Sequence, residues 1–425
     1  MTTNLRALVH LDEPYTQQCV VRALESSDLN LTVSTNVEED EADREHTNPF
    51  IHVQWLEYEL IDWNHMHQAS TQTMANAYCI RKGLIRKSQF AYNVAKYLSK
   101  HPDSVLRQAI PETWQFELDH VDYFEEAMNE VFEVERDLLA NEEATTTQRH
   151  LFIIKPSLAN KAAGIQVFDS LDQLRGIFTT DSDSEEEDDD DDFDSDQEDV
   201  TQVREWVIQR YIDRPLLVNQ RKFHVRAYVL AVNNIQVYLY RDMLALFAMK
   251  DYTLDNLSDT LIHLTNTCIQ TDHDDFDEQD SVRLFWELDQ CGVAKQDLEN
   301  VFEKMQAVLK DVFDACASEM TTFQALPNAF ELFGVDFMID QDLNVYFLET
   351  NAVSPSYLLH SCHVLTSFLL FLQFPDFKQT GKRLQSVIQD LFNATTKTAI
   401  EPFFGLDTQP DERLVKVYDR QLLSL

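Results

Sequence analysis

Apolar and β-branched positions crowd into two paired runs in the second half of the chain. Arg226-Ala-Tyr-Val-Leu-Ala-Val232 and Ile235-Gln-Val-Tyr-Leu-Tyr-Arg241 flank Asn233-Asn234, a pair that tolerates the positive φ angles of a two-residue turn, and so predict a β-hairpin. Val335-Asp-Phe-Met-Ile-Asp340 and Val345-Tyr-Phe-Leu-Glu-Thr-Asn351, joined through residues 341–344, predict a second. Upstream, Leu151-Phe-Ile-Ile154 and Ile165-Gln-Val-Phe168 read as strands around the loop Lys155–Gly164, followed by a helix near Leu171–Phe178 and a strand at Trp206–Ile212. The spacing of Ile80, Leu84, Ile85, Tyr92 and Ala95 predicts one helix from Tyr78 to Leu98, with Arg81, Lys82, Arg86 and Lys87 on a basic face. Leu384, Val387, Ile388, Leu391 and Phe392 predict a helix that closes the core. The first 75 residues mix short strand-like runs with an acidic stretch and carry no recognisable chemistry.

Composition bounds what such a chain does. With 425 residues, 44 % of them hydrophobic, it is long enough for two or three domains. Six scattered cysteines without a C-x-x-C pair suit a reducing compartment and argue against a disulfide framework or a structural zinc site. No secretory signal is read at Met1–Val20, which predicts a cytoplasmic protein, and no membrane association is expected. The 34 basic and 74 acidic residues give a formal charge of −40, which excludes a generic nucleic-acid binder. Between Asp181 and Asp199, 14 of 19 residues are acidic, predicting a solvated, disordered loop. Ser182, Ser184 and Ser195 each have an acidic residue three positions on, which suits an acid-directed kinase; a plain spacer fits as well.

The two hairpins carry the candidate chemistry. A two-residue turn sets position 232 against 235, and therefore Arg226 against Arg241. Like charges opposed across a strand pair destabilise it, so the pair fits a triphosphate held between guanidinium forks, unless each arginine finds a carboxylate. In the second hairpin Glu349 and Asn351 share a face, and the turn brings Asp336 opposite Leu348 or Glu349. Three oxygen donors then converge as Mg2+ requires, and two carboxylates this close repel each other without a cation. The loop Lys155–Gly164 begins with a lysine and ends with a glycine, which lets backbone amides approach phosphates, but it is not a Walker loop.

Taken in order, Ile80-Arg-Lys-Gly-Leu-Ile-Arg-Lys87, Lys155-Pro-Ser157, Gln209-Arg-Tyr-Ile-Asp-Arg-Pro-Leu-Leu217, Arg221-Lys-Phe-His-Val-Arg226, Tyr238-Leu-Tyr-Arg241, His263-Leu-Thr-Asn266, Phe330–Asp340 and Leu348-Glu-Thr-Asn351 resemble the tubulin-tyrosine-ligase-like family of ATP-grasp ligases. Asp242–Ala248, Leu326–Phe330 and Phe374–Gly381 are most similar to its P-body-associated fungal branch. The resemblance implies an α+β chain with an ATP-grasp fold, two α/β subdomains clasping ATP behind a small N-terminal α/β domain. The bounds it suggests are 1–75, 76–208 with the acidic loop 181–199, and 209–425 with an atypical insert at about 353–373. By motif, it implies that Lys82 and Lys155 contact phosphates and that Gln209, Arg210, Tyr211 and Ile212 form the hinge against adenine. It further implies that Lys222, Arg226 and Arg241 hold the nucleotide and that His263 and Asn266 sit near the reacting groups. Asp336, Glu349 and Asn351 would bind Mg2+, with Glu349 also facing the nucleotide.

The activity so implied is ATP- and Mg2+-dependent joining of a carboxylate to an amine on a protein, through an acylphosphate. The branch implies an alternative, a catalytically weak ATP-binding adaptor associated with P-bodies and mRNA decay proteins. Two departures bear on this. His224 replaces the aspartate that commonly meets the ribose, and Lys161-Ala-Ala-Gly164 is poorer in glycine than is usual. A charge of −40 disfavours the acidic tails of tubulin as acceptor, although screening over about 8 Å lets a local basic patch prevail. Residues 353–373 interrupt the usual passage from Glu-x-Asn-Ala into Phe-Pro-Asp-Phe, and their Ser/Phe/Leu-rich composition is that of a translated, retained intron; a membrane helix or a buried helix are the other readings.

Overall fold

A computed structural model describes residues 4–35, 50–145, 148–157, 164–179, 205–270, 277–352 and 382–420. The acidic loop 181–199, the insert 353–373 and Lys161 to Ala163 of the phosphate loop lie outside the described residues.

The N-terminal unit is the small α/β domain expected. Strands β1 (Leu5–His10), β2 (Leu31–Ser34), β3 (Val53–Leu56) and β4 (Met74–Ala75) form a parallel sheet in the order β2-β1-β3-β4. Helix α1 (Pro14–Glu25) connects β1 to β2; Glu13 caps it by accepting from the Tyr15 and Thr16 amides, and Cys19, Val20, Ala23 and Leu24 face the core.

The single helix predicted over Tyr78–Leu98 is instead an extended segment and two helices, α2 (Lys82–Ile85) and α3 (Lys87–Lys100), split at Arg86, whose backbone is extended. Tertiary bonds override the local period here. Arg81 is drawn into the core, 3.1 Å from Glu331 and 4.1 Å above the Tyr58 ring, while the Gly83 amide donates to Thr322 O and Ile80 bridges Gln324. Leu84, Phe90, Val94 and Tyr97 consequently join the core of the large C-terminal sheet rather than that of the central subdomain.

The central sheet, β5 (Thr113–Glu117), β6 (Phe152–Pro156), β7 (Gln166–Phe168) and β8 (Glu205–Arg210), is antiparallel in the order β5-β8-β6-β7. Helices α4 (Phe132–Asn141) and α5 (Leu171–Thr179) pack on it around Phe116, Phe152, Phe168 and Trp206. Its attachment to α3 is polar: Ser88 Oγ lies 2.7 Å from Ser157 Oγ and donates to Glu205 Oε2 at 3.1 Å, and Gln115 donates to Ser88 O.

The large sheet is built on β10 (Arg221–Val232), preceded by the short β9 (Leu217–Val218). β11 (Gln236–Tyr240) and β12 (Leu244–Phe247) share one edge of β10, and β13 (Val282–Leu284) pairs with β12. The long helix α6 (Lys295–Ala317) then leads to β14 (Phe330–Ile339) on the other edge of β10, and β15 (Val345–Ala352) completes the second predicted hairpin. Helix α7 (Lys382–Thr395) precedes β16 (Leu414–Asp419), which pairs with β11. Period-two alternation divides β10: Val225, Ala227, Val229 and Ala231 face the core with α3 and α6, while Tyr228, Leu230 and Val232 face α7 and the N-terminal unit.

The first hairpin folds one residue out of the predicted register. Val232 pairs with Gln236, so the loop has three residues, with Asn233 and Ile235 at positive φ. The proposed opposition of Arg226 and Arg241 is therefore corrected. Arg226 sits between Leu244 on one side and Asp336 on the other.

Candidate functional site

The second hairpin holds its predicted register: Asp336 pairs with Glu349 and Gly334 with Asn351. Asn351 Nδ2 lies 3.4 Å from Asp336 Oδ2 and 3.5 Å from Glu349 Oε1, so the three side chains predicted to converge stand together, with the amide nitrogen of Asn351 rather than its oxygen turned to the two carboxylates. Among the described residues no group of three or more His, Cys, Asp or Glu is arranged to hold a metal on its own. Two carboxylates and an amide suit Mg2+ with phosphate oxygens and water filling its remaining positions, rather than a closed protein cage.

Cations surround these carboxylates. Arg226 makes a two-pronged bond to Asp336, from Nε at 2.5 Å and from Nη2 at 3.0 Å. Lys87 Nζ lies 3.0 Å from Glu349 Oε2. Burial alone would raise the Glu349 carboxyl, but Lys87, Lys155 and Arg226 outweigh it and hold it at about 2. His224, buried beside them, shares a hydrogen with Thr265 Oγ1 through Nδ1, while its Nε2 has no hydrogen-bond partner and stands 3.6 Å from Asp336 Oδ1. Burial holds this imidazole neutral, at about 4.

At the other end, side-chain hydrogen bonds replace ion pairs. Lys155 donates to Gln209 Oε1 at 2.8 Å, which orients the Gln209 amide to donate onward to Thr113 Oγ1. Lys222 donates to Tyr211 Oη and to His263 O, both at 2.9 Å. His263 Nε2 faces the Asn256 carbonyl and must donate to it, so Nδ1 accepts from Tyr211 Oη. Burial lowers Lys155 to about 8 and Lys222 to about 7, because neither has a carboxylate in hydrogen-bond contact.

Between the two ends lies an open cleft. Lys155, Gln209, Arg210, Tyr211, Ile212, Lys222, His224, His263, Asn266, Asp336 and Glu349 line it, with Ile153, Ile165, Met338 and Leu348 as apolar walls. Three predicted residues stand differently from expectation. Arg210 turns its guanidinium outward to Asp137 and Glu112, leaving its backbone at the hinge. Lys82 is exposed at the start of α2 and does not line the cleft; Lys87, five residues later in the same motif, reaches Glu349. The motif alone did not say which of its lysines reaches the cleft; the break at Arg86 separates the exposed Lys82 from Lys87. Arg241 lies on the opposite face of the sheet, donating to Glu299 Oε1 at 2.7 Å and stacking 4.4 Å above Trp286. His263 lines the cleft with both ring nitrogens engaged, so it positions Tyr211 and Lys222. Thr113, the first residue of β5, and Thr265, in the loop after His263, were not singled out because an isolated threonine carries no pattern.

Two α/β bodies closing on a cleft with buried lysines at one end and paired carboxylates at the other define an ATP-grasp fold. The crystal structure of the C-terminal domain of K. lactis Pby1, an ATP-grasp enzyme interacting with the mRNA decapping enzyme Dcp2, superposes with a TM-score of 0.67 at 25 % identity, covering 98 % of this chain and 99 % of that one. The model of the tubulin-tyrosine ligase family matches residues 64–370, and the chain belongs to that family. A probable tubulin–tyrosine ligase of Schizosaccharomyces pombe is 33 % identical over 420 residues, 96 % of this chain and 94 % of that protein. The probable tubulin–tyrosine ligase PBY1 of Saccharomyces cerevisiae is 33 % identical over 392 residues; the match covers 85 % of this chain and 48 % of that protein.

Proposed function

We propose that this chain binds Mg-ATP in the cleft and ligates a carboxylate to an amine on a protein substrate. The observation that carries the reading is the charge arrangement. Arg226 and Lys87 are paired to Asp336 and Glu349, whereas Lys155 and Lys222 line the same cleft with no carboxylate in hydrogen-bond contact, and those two lysines are the charge left over for the phosphates of Mg-ATP. Gln209 through Ile212 would carry the adenine, Lys155 and Lys222 the phosphates, and Asp336, Glu349 and Asn351 the Mg2+. The metal supplies charge neutralisation on the phosphates. This chain's residues bind and orient: Arg226 holds Asp336 in place, Lys87 holds Glu349, and His263 holds Lys222 through Tyr211. A carboxylate oxygen attacking the γ-phosphorus would form an acylphosphate and release ADP, and the amine nitrogen would then attack the acyl carbon, releasing inorganic phosphate and a proton. No side-chain nucleophile is required.

The acceptor is proposed to be a protein in the cytoplasm, with tubulin tails disfavoured by the chain's own charge. Among the described residues no helix is long and apolar enough to cross a membrane. A second reading is favoured by the K. lactis relative, which interacts with Dcp2: the nucleotide-loaded chain serves as an adaptor in P-bodies with little turnover. Calorimetry with Mg-ATP, followed by incorporation of labelled amino acids into extract proteins, separates the readings. Uptake of nucleotide with incorporation supports the ligase; uptake without incorporation supports the adaptor; absence of Mg-dependent uptake overturns both.

A further inference from the structure

No side chain of the N-terminal unit lines the cleft, yet that unit grips the segment that leads to Lys87. Residues 76–81 cross from β4 to α2. Asn76 is bound to β3 twice: its Oδ1 accepts from Leu56 N and its Nδ2 donates to Leu56 O, both at 3.0 Å. Tyr58, two residues past β3, adds two further contacts. Its hydroxyl donates to Cys79 O at 2.6 Å, and the Arg81 guanidinium lies 4.1 Å above its ring. The large sheet holds the same segment from the other side. Glu331 Oε2 accepts from Tyr78 N at 3.0 Å, and Glu331 Oε1 stands 3.1 Å from Arg81 Nη1.

Arg81 depends on these neighbours more than its companions do. It is 1 % exposed, and none of its three nitrogens makes an aligned hydrogen bond among the described residues. Its seat therefore rests on the charge of Glu331 and on the π face of Tyr58, a contact that strengthens when water is excluded. Leucine at position 58 would bury apolar area too, but it offers neither ring face nor hydroxyl.

From Arg81 the constraint runs on toward the cleft. The Leu84 and Ile85 amides donate to Arg81 O, so this residue sets the start of α2. Gly83 O accepts from Asn93 of α3, and a Cβ on Gly83 would stand 2.5 Å from Asn93 Nδ2, so the two helices pack as one piece. Lys87 opens α3 and lies 3.0 Å from Glu349 Oε2. Glu331 belongs to β14, the strand of Asp336. Arg81 thus references Lys87 to the strand that carries one of the paired carboxylates.

Building on the function proposed above, we infer that Tyr58 is a positioning residue of the nucleotide site. Through Arg81 and α2 it sets where Lys87 stands against Glu349, which gives the N-terminal unit a part in binding Mg-ATP from outside the cleft.

The test is a double-mutant cycle on the full chain, read by calorimetry with Mg-AMP-PNP. Tyr58→Leu should weaken the nucleotide about three- to fivefold, whereas Tyr58→Phe, which keeps the ring face, should weaken it less than about twofold. In a Lys87→Ala background Tyr58→Leu should change the affinity by less than about 1.5-fold, because the contact it positions is already gone. A purely structural tyrosine gives another pattern: equal losses in both backgrounds overturn the proposal, as does a Tyr58→Leu chain that binds like wild type. Equal losses in Tyr58→Phe and Tyr58→Leu, which would put the effect on the hydroxyl rather than on Arg81, overturn it too. Should Tyr58→Leu fail to fold, hydrogen exchange of the wild type and Lys87→Ala decides. Saturating nucleotide should slow exchange of the Tyr78, Leu84 and Ile85 amides in the wild type and leave them unchanged in Lys87→Ala. Equal protection in both, or none in either, overturns the proposal. A wild type that takes up no Mg-AMP-PNP instead sinks the function on which the proposal rests.

Discussion

The two ends of the cleft bury charge in opposite ways. At the hinge, Lys155 and Lys222 donate to neutral acceptors, and burial lowers both. At the metal end, Arg226 and Lys87 are each matched to a carboxylate, and Glu349 stays ionised far below the ordinary range. The hinge end therefore lacks an anion, whereas the metal end holds cations and anions already neutralising one another. Under the proposed function Mg-ATP would supply the first with phosphate charge, and at the second Asp336 and Glu349 would hold the metal while Arg226 and Lys87 were freed toward phosphate.

Breaking the metal end should have the largest effect. Arg226→Ala strands the Asp336 carboxylate in a buried site and should lower stability by about 3–5 kcal/mol, read as a fall in chemical-denaturation midpoint. Glu349→Gln keeps shape but removes charge. It should weaken Mg-ATP on the order of 100-fold while leaving magnesium-free ATP as tight or tighter, because Lys87 and Lys155 are released; equal losses in both titrations would contradict the pairing described.

The hinge end should show itself through pH. Phosphate raises the lysine pKa above its free value of about 7 at Lys222, so the binding contribution is fully present below pH 7 and falls by about tenfold per pH unit above it. Calorimetry in two buffers of different ionisation enthalpy should register proton uptake at pH 8 and little at pH 6. Smaller again is the difference between two lysines of one motif. Lys87→Ala should weaken Mg-ATP by about tenfold and Lys82→Ala by less than about twofold. Tyr211→Phe, which removes the hydroxyl joining Lys222 to His263, should cost about 1 kcal/mol of nucleotide affinity.

How legible these ends were follows from the range of the interactions involved. The β14–β15 pair was readable because its turn and its alternating apolar face act within twenty residues, and the register brought Asp336 to Glu349 as predicted. The β10–β11 pair failed on one residue: Asn233-Asn234 suggested a two-residue turn, and Ile235 at positive φ made it three, turning Arg241 away from Arg226. A one-residue slip exchanges the faces of a strand. The exchange of Lys82 for Lys87 has a long-range cause, the Arg81–Glu331 pair, which spans 250 positions and leaves no local trace. The motifs pointed to Gln209 to Ile212, which do line the cleft, but not to the turn of the Arg210 guanidinium away from it to Asp137. Thr265 acquires meaning only from His224, which stands beside it.

The hydroxyl contacts between Ser88, Ser157 and Glu205 join α3 to the strand that begins the phosphate loop. They contain no apolar seam and no buried cation, so each can exchange its partner for water at a cost of about 1 kcal/mol. On this side the central sheet is fastened by hydroxyls; on the other, Leu151, Ile153 and Val167 pack against Tyr211, Tyr252, Leu254 and Leu257. Under the proposed function this hydroxyl seam is the contact that water would loosen first around a nucleotide, while the ion pairs Arg226–Asp336 and Lys87–Glu349 hold the floor of the cleft.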